Sequence, residues 1–176
     1  MLPRSPTREG PVGKTDDPRF KPLDRTITED LYEEIKALWL LHVSEEEKLF
    51  VPHSEEEGER ALERSLTAFV EDCAMELKQT GERFTGLDGA RQFYAEAFIP
   101  SLDGMRWSPQ ALVIGPQGVL DVADMTATLV RPFGGLTNVG EDVALEWVIY
   151  FPWDTEQRKF GGETIYSIRS TAATTP

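Results

Sequence analysis

The chain has 176 residues, 40% of them hydrophobic, and a formal net charge of -13. This length suits one domain with tails and a core of its own, whereas so acidic a surface argues against nucleic acids and anionic membranes as partners. Cys73 is the single cysteine, so no internal disulfide is possible and a reducing cytoplasm is the expected location. No stretch of the sequence is apolar for long enough to span a bilayer.

Two tails are predicted to flank one domain. Residues 1–25 contain five prolines and two glycines, a composition typical of a segment without its own fold. A second, shorter tail is predicted over 169–176. The domain between them, 26–168, begins with Thr26 and Glu29, which have the spacing of a helix-capping box.

Apolar residues at helical spacing then predict three helices. The first carries Trp39 and, as the polar member of its buried stripe, His42. A lone histidine in such a place is more often a core residue than a catalyst. The acidic segment 44–57 is predicted to be a solvated face or loop, before and at the start of the second helix. The third helix presents Tyr94 and Phe98 on its apolar face.

The rest of the chain predicts a short strand and four long ones. Helices followed by strands of this kind indicate an α+β fold, with helices packed on one face of a curved antiparallel sheet. Asp121 and Asp124 lie on opposite faces of one predicted strand, so at most one of them can reach the interior. No zinc pattern, P-loop, dinucleotide fingerprint or nucleophile elbow is present, and no metal site is predicted. The long strands are predicted at 106–114, 119–131, 143–151 and 160–168.

Each of the last two predicted strands carries a glutamate among apolar residues. A buried carboxylate is costly unless it is paired, hydrogen-bonded or protonated. If Trp153 pairs with Phe160, then Glu146, Glu163 and Tyr150 all face one side of the sheet. A slip of one residue would instead put the two carboxylates on opposite faces. Structural hydrogen bonds would explain each glutamate alone, but two in one region of a sheet favour a functional site.

Several stretches of the sequence resemble the SnoaL-like polyketide cyclases. They are Asp-Cys-Ala-Met-Glu-Leu at 72–77, the segment 86–94, and a closing hairpin at 151–154 and 160–166. The wider superfamily includes ketosteroid isomerase, scytalone dehydratase, limonene epoxide hydrolase and nuclear transport factor two. The resemblance covers 26–168 and implies a cone, in which a bent sheet wraps around a helix-lined pocket for a small hydrophobic molecule. It also implies acid–base catalysis without a cofactor.

The resemblance assigns roles to individual residues. Compared with ketosteroid isomerase, His42 stands where a tyrosine holds the oxyanion, and Glu146 stands where a protonated aspartate does. Leu77 occupies the position of the base and cannot serve as one. Comparison with the polyketide cyclases places Glu163 near their acid–base aspartate. We therefore expect Glu163 to act as general base and Glu146 as an acid with a raised pKa. His42 and Tyr150 are expected to be hydrogen-bond donors. The expected pocket wall is Trp39, Tyr94, Phe98 and Trp107.

Three functions are consistent with these features. The first is a cofactor-independent isomerase, cyclase or dehydratase that acts on a small hydrophobic carbonyl compound, which the polar groups inside the cone favour. The second is a binding protein with the same pocket and no turnover, which the missing base at Leu77 favours. The third is an interaction module, which requires a filled cone.

A homodimer is also expected. Both faces of the predicted strand 143–151 are apolar, and only one of them can line the cone. We expect the other, with Leu145, Trp147 and Ile149, to be covered by a second subunit.

Overall fold

The computed structural model describes residues 27–51 and 54–170. The predicted tail at 1–25 lies outside the described residues, as does most of the tail predicted at 169–176. No helix in the described part of the chain is long and apolar enough to cross a membrane. The elements are α1 (Glu29–Phe50), α2 (Glu55–Leu66), β1 (Phe69–Leu77), β2 (Glu82–Thr85), α3 (Gly86–Gln92), a π-helical turn (Phe93–Phe98), a 3₁₀ turn (Ile99–Ser101), β3 (Leu102–Gly115), β4 (Gly118–Leu129), β5 (Asp142–Asp154) and β6 (Lys159–Ser170).

The predicted α+β class is confirmed, with one difference in the sheet. Across the described residues the strands are ordered β2-β1-β6-β5-β4-β3. Neighbouring strands run antiparallel, except that β1 and β6 run parallel. The sheet is therefore mixed rather than wholly antiparallel, because the meander from β3 to β6 ends beside β1 and its last strand runs in the same direction as β1.

The first helix is longer than the sequence predicted. It is capped by Thr28, whose hydroxyl accepts from the backbone N–H of Leu31 at 3.3 Å. The predicted cap, Thr26, lies outside the described residues. The helix continues to Phe50 because its buried stripe extends beyond His42 through Glu45 and Leu49. The first part of the acidic segment at 44–57 is thus helical, and it contributes to the interior.

The two faces of β5 are the reverse of the assignment made from the sequence. Leu145, Trp147 and Ile149 are at most 6% exposed and point into the core, not toward the outer surface. Glu146 and Tyr150 lie on the other, half-buried face. Both faces are apolar, so the alternation within this strand could not decide which one is inside. The register with β4 determines which face of β5 points into the core, because the inner residues of β5 pair with buried residues of β4.

An irregularity between β5 and β6 explains where the two glutamates point. Trp153 pairs with Phe160 as predicted, but Tyr150 pairs with Thr164, so β6 contains one extra residue between these two pairs. This is the one-residue slip that the sequence left open. Glu163 consequently lies on the inner face.

Glycine at position 162 makes this bulge possible. Gly162 has a φ of 115°, a conformation that residues with a side chain rarely adopt. A Cβ built on it would also overlap the backbone of Ala74 on β1. The neighbouring Gly161 has no such restriction, since its Cβ would meet Pro152 Cγ at 3.3 Å.

We expect Gly162→Ala to lower the free energy of unfolding by at least about 2 kcal/mol, because it adds both backbone strain and a clash with a buried strand. Gly161→Ala is the matched control and should cost clearly less. Urea denaturation of the two variants measures this difference. Equal losses in both variants would show that the bulge does not constrain the chain.

Candidate active site

A buried glutamate connects the helices to the sheet. Glu163 Oε1 on β6 accepts a hydrogen bond from the hydroxyl of Tyr94 and lies 3.0 Å from His42 Nε2. The Tyr94 oxygen is also 3.3 Å from the same ring nitrogen. All three residues are at most 3% exposed. A carboxylate so far from water requires donors of this kind, and charged donors satisfy it best.

Three separate helical segments hold the partners of Glu163 in place. His42 lies on the buried stripe of α1, and Tyr94 lies in the π-helical turn that interrupts the predicted third helix. Turns of this type are rare and occur often at functional sites. Ser65, near the end of α2, holds the other ring nitrogen: its Oγ is 2.8 Å and its carbonyl oxygen 3.3 Å from His42 Nδ1. Both ring nitrogens of His42 therefore have partners.

The network changes the proton affinity of its members. Burial by itself lowers the pKa of His42, but the hydrogen bond and the charge of Glu163 outweigh it, so the pKa is raised above 6.5. When His42 carries both protons, it can donate from Nε2 to Glu163 and from Nδ1 to the carbonyl of Ser65. Burial, with the charges of Glu163 and Glu46, raises the pKa of Tyr94 well above its ordinary value. Tyr94 is therefore a donor rather than a phenolate.

Two more carboxyl groups lie next to this network. Glu46, four residues after His42 on α1, has its Oε2 3.7 Å from His42 Nε2, and its side chain is 20% exposed. Asp121 on β4 is 2% exposed. Its Oδ1 is buried and has no hydrogen-bond partner in the described part of the protein. Burial and the charge of Glu163 raise the pKa of Glu46 to about 8 and that of Asp121 to about 6. At neutral pH the first group is mostly protonated and the second mostly ionised.

Glu46 and Asp121 line a narrow cavity. Its other walls are largely apolar and include Trp107, Ile149 and Phe151. Its volume is about 20 Å³, roughly the space that one water molecule occupies. A larger molecule can enter only if side chains in the wall move. The cavity brings an acid, a base and apolar surface together, which is what proton transfer to a small organic molecule needs.

The structure separates the other predicted site residues from this cavity. Glu146 and Tyr150 lie on the outer face of the sheet, and the Tyr150 hydroxyl donates to the carbonyl oxygen of Gln117 at 2.6 Å. The expectation that both share the interior with Glu163 is wrong, because of the bulge in β6. Trp39 and Phe98 are buried in the core and do not line the cavity.

Two residues of the site were missed from the sequence. Glu46 was placed in a solvated acidic run, although its spacing of four residues from His42 puts both on one face of a helix. Asp121 was recognised only as one of two alternatives with Asp124. The structure places Asp121 inside and leaves Asp124 exposed. Among the described residues no group of three or more histidine, cysteine, aspartate or glutamate side chains is arranged to hold a metal ion.

Solved structures of known fold resemble the chain over most of its length. A protein from Jannaschia sp. CCS1, provisionally described as a SnoaL-like polyketide cyclase, is 12% identical, with a TM-score of 0.58 over 81% of this chain and 90% of that one. A provisional ketosteroid isomerase from Kribbella flavida is 20% identical, with a TM-score of 0.51 over 82% and 84%. TerC, co-crystallised with polyporic acid, is 16% identical, with a TM-score of 0.52 over 75% and 89%.

These similarities establish the fold. The chain has the cone-shaped α+β fold shared by SnoaL-like polyketide cyclases, ketosteroid isomerases and nuclear transport factor two, as its sequence resemblance implied. No protein-family model matches the sequence, and a search of curated proteins finds no significant match. Because one fold of this kind carries many functions, the activity has to be argued from the site.

We expect the stability of the protein to fall as pH rises from about 4.5 to about 8. The raised pKa of Glu46, about 8 against an ordinary 4.5, means that the folded protein keeps a proton which the unfolded chain releases. The resulting stabilisation is fully present below the lower value and is lost as pH rises through the upper one. The raised pKa of Asp121, about 6 against an ordinary 3.8, likewise makes the stability fall as pH rises between these two values.

Melting temperatures of the wild type and Glu46→Gln across this range measure the effect. The variant cannot titrate and should show a shallower decline. Glu59→Gln removes the same formal charge from an exposed position on α2 and should keep the wild-type slope. If Glu46→Gln also keeps the wild-type slope, Glu46 does not hold its proton at neutral pH.

Proposed function

We propose that the protein is a cofactor-independent acid–base enzyme of the isomerase, cyclase or dehydratase type, acting on a small hydrophobic carbonyl compound inside the cone. The observation that carries this proposal is the contact between the buried network and the cavity. Glu46 both lines the cavity and lies 3.7 Å from His42 Nε2. Glu46 therefore stands between the cavity and a network that holds other protons.

Glu46 is the group that we assign to proton transfer with the substrate. Its pKa of about 8 is close to neutral pH, which is the condition under which one carboxyl group can both give and take a proton there. In its ionised form it would remove a proton from the carbon next to the carbonyl group, and the carboxylic acid so formed would return that proton at another carbon. Glu146, the acid expected from the sequence, has no access to the cavity.

Glu163 acts in this proposal through its neighbours. Its Oε1 already accepts from Tyr94 and His42, and it does not line the cavity. Its charge raises the pKa of His42 and that of Glu46. We therefore propose Glu163 as a positioning residue that sets the pH at which Glu46 works, rather than as the base that meets the substrate.

Hydrogen–deuterium exchange tests this activity without knowledge of the natural substrate. The protein is incubated in D₂O with small apolar ketones (cyclohexanone, acetophenone and 1-indanone), and loss of the α-proton signals is followed by NMR. We expect Glu46→Gln to reduce the protein-dependent exchange by at least about 100-fold. Glu59→Gln should leave it unchanged. Glu163→Gln should shift the midpoint of the pH–rate profile toward acid, because the charge that raises the pKa of Glu46 is gone.

The NMR titration of His42 provides a structural control for Glu163→Gln. Its pKa should fall, because burial remains and the charge that raised the pKa is lost. If the wild type exchanges none of the ketones, the proposed catalysis is contradicted. Polyporic acid, the compound with which TerC was co-crystallised, can then be used to ask whether the cone binds a ligand without turnover.

One observation favours a non-catalytic alternative. The interior holds little free space, because aromatic side chains fill the cone beside the cavity. Phe98 and Phe133 each pack against Trp147, with ring centroids 5.5 and 6.1 Å apart. A filled cone is what an interaction module would have. The ketone experiment separates the two functions, since a module without turnover accelerates no exchange.

We also propose that the protein is cytoplasmic, since its only cysteine is a free, buried thiol.

We further propose that it is a homodimer formed through the outer face of the sheet. The support for the dimer is the row of half-buried residues on the outer face, including Val122, Val148 and Tyr150. Light scattering at micromolar concentration should give twice the mass of the chain. Val148→Glu should give the monomer mass, whereas Val139→Glu, in a loop and already 53% exposed, should not. A wild type that is monomeric rules the dimer out.

A further inference from the structure

Two residues that line the narrow cavity carry hydrogen-bonding atoms that nothing in the described chain satisfies. Asp121 Oδ1 is one, in a side chain that is 2% exposed. The indole N–H of Trp107 is another, buried and without a partner among the described residues. Both residues line the cavity. Because an unpaired buried polar atom costs free energy, a ligand that supplies the matching atoms gains affinity from each of them.

The two groups require opposite partners. Asp121, with a pKa of about 6, is mostly ionised at neutral pH and can only accept a hydrogen bond. The indole N–H of Trp107 can only donate one. A ligand that satisfies both therefore carries a hydroxyl group for Asp121 and an acceptor oxygen, such as a carbonyl, for Trp107. The remaining walls, Met105, Ile149 and Phe151, suit an apolar body between these two oxygens.

The sheet register indicates how far apart the two oxygens should be. Trp107 pairs with Met125 of β4, and Asp121 lies four residues away on the same face of that strand, which corresponds to about 13 Å along β4. A hydrogen bond of about 3 Å at each end leaves about 7 Å between the two ligand oxygens. A single six-membered ring with oxygen substituents at opposite ends spans such a distance.

From this arrangement we infer that the cavity recognises a small hydroxy-carbonyl compound built on one ring, with its hydroxyl donated to Asp121 and its carbonyl oxygen accepting from Trp107. This inference rests on the proposed function and names its substrate class. The ring enters by displacing Glu47 and Met105 from the cavity wall. Glu47 is exposed, and the unbranched side chain of Met105 adapts easily to a new neighbour.

Three matched probes test the inference by calorimetry. 4-Hydroxyacetophenone carries both groups, acetophenone only the carbonyl, and phenol only the hydroxyl. The first should bind at least about tenfold more tightly than either of the others, since it makes one more hydrogen bond to a buried group. Equal affinities for the three probes, or no binding of any of them at millimolar concentration, overturn the inference.

Variants then assign each contact. Asp121→Leu should weaken the binding of 4-hydroxyacetophenone and phenol about tenfold and leave acetophenone unchanged. Trp107→Phe keeps an aromatic ring without the N–H, and it should weaken only the two carbonyl probes. Asp124→Leu, on the outer face of the same strand, is the matched control and should change none of the three. If Asp121→Leu weakens all three probes equally, Asp121 is not the hydroxyl site.

The outcome can be separated from that of the proposed function. Asp121→Asn, which keeps an acceptor oxygen, should lose less affinity for the hydroxyl probes, and it serves as the readout if the leucine variant does not fold. Glu46→Gln should keep the order of probe affinities while it stops ketone exchange. If the wild type binds the three probes in the expected order of affinity but exchanges no ketone α-protons, only the proposed catalysis is contradicted. If it exchanges these protons but binds the three probes equally, only the inferred recognition is contradicted.

Discussion

The carboxylate of Glu163 is the constraint on which the interior depends. It lies on the inner face of the sheet with 3% of its surface exposed, and an ionised group in such a place is tolerated only if donors reach it. Tyr94 and His42 supply them from two different helical segments. Removing either donor would leave the buried carboxylate with only one of these two hydrogen bonds. The position of α1 and of the π-helical turn over the sheet is thus tied to one oxygen atom, Oε1.

The same charge organises the groups around it. Like charges that share a region of low dielectric raise each other's pKa, while a nearby histidine becomes easier to protonate. Glu46 and Asp121 on one side and His42 on the other show these two effects. The cost of burying a carboxylate is therefore coupled to a useful result, namely an acid and a base that coexist at neutral pH within one cavity. Because their titrations are coupled, the apparent values belong to the cluster as a whole.

The sequence was sufficient for the parts that follow from periodicity. Helical spacing placed His42 on the inner face of α1, and the resemblance of the closing hairpin placed Glu163 in the interior. It failed for the position of Glu163 relative to Glu146 and Tyr150, because a β-bulge in β6 turns Glu163 onto the opposite face of the sheet. The adjacent Gly161 and Gly162 were the available signal for the bulge. When both faces of an internal strand are apolar, its pairing with the neighbouring strands determines which face points inward. A single sequence does not reveal that pairing.

The position of the carboxyl groups bears on how function is inferred from this fold. In the comparison with ketosteroid isomerase, the base falls on Leu77 of β1, which is buried in the core beside Ile165. Taken alone, that substitution argues against acid–base chemistry. The structure shows that carboxyl groups reach the cavity from α1 and β4 instead, through Glu46 and Asp121. Because the sheet and helices of a cone surround one interior, side chains from several of these elements can line the same cavity. The loss of one position on one strand is therefore not an argument against acid–base chemistry by itself, and it is the lining of the cavity that has to be compared.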